Sequence, residues 1–276
     1  MVKYLEVQIS GVAPEDSDLL TALLSGIGFD SFSEEGAAFR AYIPVESYDE
    51  NQFRGLMDSL SSGQNLKFEV NPLEEKNWNA EWERNFEPVE IDGKCFIRAP
   101  FHEPRPDLPF DIIIEPKMSF GTAHHETTWQ MVSEIMKIKM EGRRVLDMGC
   151  GTAVLAILAS KLGAAEVVAI DHDPWAHENA LENIQRNNRS NIRVIQGEQE
   201  AIPTDRFHLI LANINRNILQ DQIPSYAAAL EHHGSLLVSG FYEDDLPAIR
   251  KCAENEGLNY REHRQKNRWV VAHFLK

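Results

Sequence analysis

Between residues 145 and 171 the chain reads Val145-Leu-Asp-Met-Gly-Cys-Gly-Thr-Ala153, then an apolar stretch, then Glu166-Val-Val-Ala-Ile170 and Asp171. No other segment constrains the fold as strongly. Residues Arg144–Met148 read as a short buried strand and Gly149 and Gly151 as a tight turn. Residues 154–162 read as a helix, and 166–170 as a second strand with Asp171 at its end. A strand, a glycine turn and a helix bring bare backbone against a ligand at a helix N-terminus. An acid ending the next strand suits both hydroxyls of a ribose. The segment therefore predicts an α/β sheet that binds a nucleoside-bearing ligand.

Two ligands compete for such a turn. A nicotinamide dinucleotide asks for G-x-G-x-x-G, whose last glycine lets helix and strand pack closely. Here the run is Gly149-Cys-Gly151-Thr-Ala-Val154, without that glycine, and Asp147 precedes the turn. A carboxylate there repels a pyrophosphate and attracts the ammonium of a methionine moiety. The pattern Asp147-x-Gly149-x-Gly151-x-Ala153 resembles the first motif of class I S-adenosylmethionine-dependent methyltransferases. The resemblance implies S-adenosylmethionine as cofactor and disfavours a NAD-dependent oxidoreductase.

The rest of the chain fits this class. Its 276 residues suffice for one large or two modest domains. No apolar run is long enough to span a bilayer, and the N-terminus lacks the pattern of a signal peptide. Cys95, Cys150 and Cys252 are widely spaced, which predicts free thiols, no structural zinc and a cytoplasmic location. The formal net charge is −16. A surface this acidic disfavours direct contact with nucleic acid. Residues 1–87 hold 17 acidic and 6 basic side chains, so they carry −11 of that total. Read functionally, this is an acidic module for a basic partner; read blandly, it is solubility.

Residues 1–72 alternate as βαββαβ: strands at 4–9, 29–33, 38–43 and 66–70, helices at 14–26 and 49–60, and a Glu-Glu-Gly turn at 34–36. That order predicts a small α+β ferredoxin-like domain. Residues 73–87 read as a linker helix with Trp78, Trp82 and Phe86 on one face. From 88 to 276 the expectation is a hairpin around Asp92-Gly93, then alternating helix and strand, with strands at 192–195, 207–212 and 234–239. The last two strands, 260–263 and 269–274, form an antiparallel hairpin. Repeated βα units imply a doubly wound, Rossmann-like sheet.

A third pocket loop should follow the strand at 207–212, where the sequence is Asn213-Ile-Asn-Arg216. The amide oxygen of Asn213 can accept a hydrogen bond from an amine and aim its lone pair; otherwise Asn213 merely caps a loop. Many amino-methylating enzymes carry Asn/Asp-Pro-Pro-Tyr here, and the missing aromatic counts against a nucleobase substrate. Upstream, Phe120-Gly-Thr-Ala-His-His-Glu-Thr-Thr128 opens a helix with two hydroxyls. Thr127 or Thr128 would cap it, and Thr128 with nearby N–H groups would meet a cofactor carboxylate. His124–His125 and His232–His233 invite a metal, but adjacent histidines rarely converge on one ion.

Three segments together are similar to one family, the methyltransferases of ribosomal protein L11. Phe120–Thr128 resembles its F-G-T-G-x-H-P-T-T signature, and Asn213-Ile214 its A-N-I sequence. Asn77-Trp-Asn-Ala-Glu-Trp82 with Phe86-Glu-Pro88 looks like its linker. Ala123, Glu126 and Ala153 depart from a glycine, a proline and a glycine. The resemblance implies methyl transfer to lysine and N-terminal amines of a basic ribosomal protein, docked by the leading domain, by a monomeric enzyme. It implies cofactor binding at Thr128, Gly149, Gly151, Asp171, Asn213 and Asp147, with Asn213 also catalytic. An enzyme acting on another protein lysine or a small amine is the alternative.

Overall fold

The computed structural model describes residues 4–12, 17–35, 38–60, 66–72, 86–115, 117, 121 and 123–276. The chain divides into two compact units, Met1–Asn77 and Trp78–Lys276. In the first, strands β1 (Tyr4–Ser10), β2 (Ser31–Glu35), β3 (Ala38–Pro44) and β4 (Lys67–Pro72) form an antiparallel sheet in the order β2-β3-β1-β4. Helices α1 (Ser17–Ser25) and α2 (Glu50–Leu60) complete the βαββαβ order of a ferredoxin-like fold. Period-two alternation puts Val7 and Ile9 on one face, where they bury with Phe39, Ala41, Ile43, Leu24 and Phe53. Glu34 and Glu35 belong to β2 rather than to a turn, because backbone pairing runs on to Glu35↔Ala38 past the end of the apolar pattern. The expected linker helix, with Trp78 and Trp82, lies outside the described residues. Phe86 is buried, its ring against His102 and His124.

The second unit opens with a small sheet of β5 (Val89–Ile91), β6 (Cys95–Arg98) and β7 (Phe110–Ile113). Asp92 and Gly93 both have positive φ (51° and 61°), and the Lys94 N–H donates to the Ile91 carbonyl at 3.0 Å. This is the expected Asp-Gly hairpin turn. Helix α3 (Glu126–Ile135) follows, then β8 (Arg144–Met148), α4 (Val154–Lys161), β9 (Glu166–Asp171), α5 (Pro174–Arg186) and β10 (Ile192–Gln196). Next come β11 (Phe207–Asn213), α6 (Arg216–Ala229), β12 (Leu230–Tyr242), α7 (Leu246–Asn255), β13 (Asn259–Lys266) and β14 (Trp269–Leu275).

These strands form a seven-stranded sheet in the order β10-β9-β8-β11-β12-β14-β13. Its first five strands are parallel, and β14 runs antiparallel to both neighbours. Val145, Val167, Leu209 and Leu211 face a layer holding α3 and α4, whereas Leu146, Val168, Ile210 and Ala212 face α6 and α7. Cover on both faces is why these strands read as unbroken apolar runs. Each such Val, Leu or Ile stabilises the fold by about 1.5–3 kcal/mol. Helix α4 is buried from Val154 to Ser160, which explains its lack of a polar stripe.

Strand β12 spans Leu230–Tyr242, well beyond the expected 234–239. It is flanked by β11 and β14, and pairing on both sides carries it through two glycines; its register with β14 shifts at Gly240. His232 and His233 consequently lie within a strand, His233 with φ +64° where the register with β11 shifts. Strand β13 likewise exceeds the expected 260–263, because pairing with β14 carries polar residues along.

Candidate active site

The carboxyl ends of β8, β9 and β11 open on a cavity of about 880 Å³. That lies within the ~300–1,000 Å³ usual for small-molecule sites. Among the described residues its wall carries four carboxylates, Asp171, Asp173, Glu198 and Asp221, and no lysine or arginine. Such a wall favours a cationic occupant and repels a phosphate-bearing one.

The first loop follows β8. Gly149 has φ +65°, and an added Cβ would stand 2.3 Å from Ile214 Cγ2, so no side chain fits. Gly151, at φ +53°, donates its N–H to Asp171 Oδ2 at 2.8 Å. The other Asp171 oxygen accepts the Asp173 N–H at 3.1 Å. Two backbone bonds thus orient the carboxylate on the cavity wall, while lone pairs remain for hydroxyl donors. Two alanines, Ala123 and Ala153, sit at φ +67° and +61°. Alanine in this left-handed region costs on the order of 1 kcal/mol, which glycine avoids.

Asp147 is not on the wall. It lies 1% exposed behind the turn, where its Oδ2 accepts the Ala156 N–H at 3.0 Å and its Oδ1 has no partner. Burial pushes its carboxyl up to about 7; the Ala156 bond opposes the rise and the charge of Asp171 adds to it. Its influence on a ligand passes through the turn, not through contact.

The second loop follows β11. Asn213, 8% exposed and on the wall, donates its amide N–H to Thr128 Oγ1 at 3.1 Å, and its Oδ1 has no partner. The loop-capping residue is instead Asn215, whose Oδ1 accepts the Ile218 N–H at the start of α6. Ile214 is gripped from two sides. Beyond its contact with Gly149, an added Cβ at Gly240 (φ +99°) would lie 2.1 Å from the Ile214 carbonyl oxygen. Sequence reasoning missed Gly240, whose signal was a glycine directly after the expected strand end.

The third wall is the start of α3. Its cap is His125, not Thr127 or Thr128: His125 Nδ1 accepts the Thr127 N–H at 3.3 Å. Thr127 and Thr128 sit inside the first turn, fully buried, Thr127 on the cavity and Thr128 against Asn213. Phe120 and Thr122 of the signature lie outside the described residues. His124 faces away, its Nε2 2.8 Å from the Glu87 carbonyl. Another missed feature is the buried ladder of Asn179 and Asn183 on α5 and Asn187 at its C-terminal cap. Asn183 and Asn187 bond the backbone of Glu115 and Ile113, and Asn183 also bonds the Thr152 carbonyl in the glycine turn. Among the described residues no cluster of His, Cys, Asp and Glu is arranged to hold a metal, and no helix is long and apolar enough to cross a membrane.

Comparison with known proteins identifies the family. The family described as ribosomal protein L11 methyltransferase (PrmA) matches residues 5–276. A ribosomal protein L11 methyltransferase of Porphyromonas gingivalis is 45% identical over 260 residues, covering 93% of this chain and 90% of its own. That of Phocaeicola vulgatus is 40% identical over 279 residues, covering 99% of both. The crystal structure of a ribosomal protein L11 methylase from Lactobacillus delbrueckii subsp. bulgaricus superposes with a TM-score of 0.64 at 27% identity, over 68% of this chain and 98% of that one. The fold is that of a class I methyltransferase, and the chain belongs to the ribosomal protein L11 methyltransferase family.

Proposed function

We propose that this chain methylates lysine ε-amino groups and the N-terminal α-amino group of ribosomal protein L11, with S-adenosylmethionine as donor. The observation that carries the reading is Asn213: a wall residue whose amide N–H is tied to Thr128 and whose carbonyl oxygen is unpartnered. A buried acceptor left unsatisfied costs about 1–3 kcal/mol, a cost that an incoming N–H removes.

The residues suit the cofactor. Asp171 would take the ribose hydroxyls, the Gly149–Gly151 turn would admit the ligand to bare backbone, and Thr128 with N–H groups at the start of α3 would face the methionine carboxylate. The carboxylate-lined wall matches a ligand bearing a sulfonium and an ammonium. When bound, S-adenosylmethionine supplies an electrophilic methyl group on positively charged sulfur.

The amine must be neutral to attack. An α-amino group near pKa 8 is roughly a tenth deprotonated at neutral pH, while a lysine near 10.4 is neutral only about once in several thousand. Asn213 Oδ1 would accept an N–H of the neutral amine and direct its lone pair, with the proton leaving to water. Positioning then supplies most of the rate. Residues 1–72, which hold much of the excess negative charge, would dock the basic substrate; 73–87 would link them to a catalytic domain at 88–276, in a cytoplasmic monomer.

The test is intact mass after incubating the protein with S-adenosylmethionine and unmethylated L11 from the same cell. Additions in steps of one methylene, mapped to amines by fragmentation, are expected. Cofactor binding without any mass change would overturn L11 as substrate and favour another protein lysine or a small amine.

A further inference from the structure

His125 stands at a corner of the cavity whose hydrogen bonding depends on a proton. It precedes α3 with extended backbone (φ −76°, ψ 141°), and its Nδ1 lies 3.3 Å from the Thr127 N and 2.8 Å from Thr127 Oγ1. A backbone N–H only donates, so Nδ1 must carry a lone pair and the ring proton must be on Nε2. The Thr127 hydroxyl must then donate to Nδ1 as well. Thr127 is on the cavity wall, so its oxygen offers only lone pairs to an occupant. The next residue, Thr128, holds the Asn213 amide. Trp269 meets the imidazole edge to face, centroids 4.7 Å apart, and keeps the ring in place.

We infer that His125 is a positioning residue that works only as the neutral imidazole: it caps α3, sets the Thr127 hydroxyl as an acceptor, and holds Thr128 against Asn213. The inference rests on the methyl-transfer reading above. Protonation at Nδ1 sets donor against donor at the Thr127 N–H and turns the Thr127 hydroxyl round. It also places a cation at the positive end of a helix. The charged and titratable groups around this corner are His124 and Glu126 on its own segment, Lys266 and Arg268 from the β13–β14 hairpin, and Tyr242 from β12. Across the cavity stand Asp171, Asp173, Glu198 and Asp221.

The consequence is a second proton in the pH profile. Loss of the attacking amine to protonation gives log kcat/KM a slope of one on the acid side; release of the cap steepens it to two. Asparagine is a good cap and does not titrate. In L11 methylation assays, His125→Asn is expected to keep kcat/KM within about threefold at alkaline pH and to reduce the acid slope to one. His125→Ala is expected to lose about tenfold, mainly in kcat. Superimposable profiles for wild type and His125→Asn would overturn the inference. Nitrogen NMR of the His125 ring in the full chain, without substrate or cofactor, decides the cap separately. An Nε2–H ring supports it and an Nδ1–H ring refutes it, so the cap can fail while methylation stands, or the reverse.

Discussion

The two loops that meet over the cavity are built in opposite ways. The Gly149–Ala153 turn is held by its own neighbourhood: Asp147 bonds Ala156, and Asp171 bonds Gly151. Most of its anchors belong to one strand-turn-helix-strand unit, with Thr152 also tied to Gly121 and to Asn183. The Asn213–Asn215 loop is held from far along the chain. Thr128, 85 residues upstream, fixes the Asn213 amide, while Gly149 of the first loop and Gly240 of β12 close on Ile214. The cradle proposed for the cofactor is a local structure. The proposed amine-positioning group is a product of tertiary packing, and it is therefore the more easily displaced from a distance.

Four substitutions would break or sharpen that contrast. Asn213→Ala is expected to have the largest effect, lowering kcat on the order of 100-fold or more with a smaller change in KM. Near-normal turnover would remove Asn213 from its assigned role. Gly240→Ala is next: its Cβ would press on the Ile214 backbone at a φ unfavourable to alanine. It should lower stability by about 2–3 kcal/mol in thermal denaturation and impair kcat more than cofactor binding. An equal loss in cofactor affinity would show that the two loops are not separable.

Asp147→Asn tests the local loop through pH. The folded carboxyl sits at about 7, against roughly 3.9 in an unfolded chain. Between those values the folded protein holds a proton that the unfolded chain has lost. This contribution to stability is fully present below about pH 4 and is lost as pH rises through about 7. The asparagine variant lacks that decline, so it should gain on wild type in urea midpoint from about pH 4 to about 7; a constant difference would contradict the burial of charge. Ala153→Gly should have the smallest effect, a gain on the order of 1 kcal/mol from relief of the left-handed backbone, read as a higher midpoint. A loss would mean that the buried methyl contributes more than the strain costs.

Legibility followed the same division. Residues 144–171 were readable almost element by element, because period, glycine and terminal acid all report local backbone needs. The βαββαβ order of the leading unit was also readable, and its sheet order followed from that topology. Strand β12 was not: pairing on both sides, rather than alternation, decided its length. The cap of α3 was misread because a histidine acting through Nδ1 does not belong to the usual Ser, Thr, Asp and Asn set. Asn213 was identified by its position after a strand, but its partner Thr128 was seen only as a cofactor contact. Asp147 was read as facing a ligand, while the structure puts it behind the turn.

The sequence by itself determined the fold class, the glycine turn and the acid at the end of β9, because each is set by backbone conformations and burial patterns that a few adjacent residues dictate. The tertiary structure alone decided which carboxylates line the cavity, which residue fixes the Asn213 amide, and that Ile214 is clamped between Gly149 and Gly240. The anchor and the clamp depend on approaches of about 2–4 Å between residues 26 to 85 positions apart, and no local pattern encodes such distances.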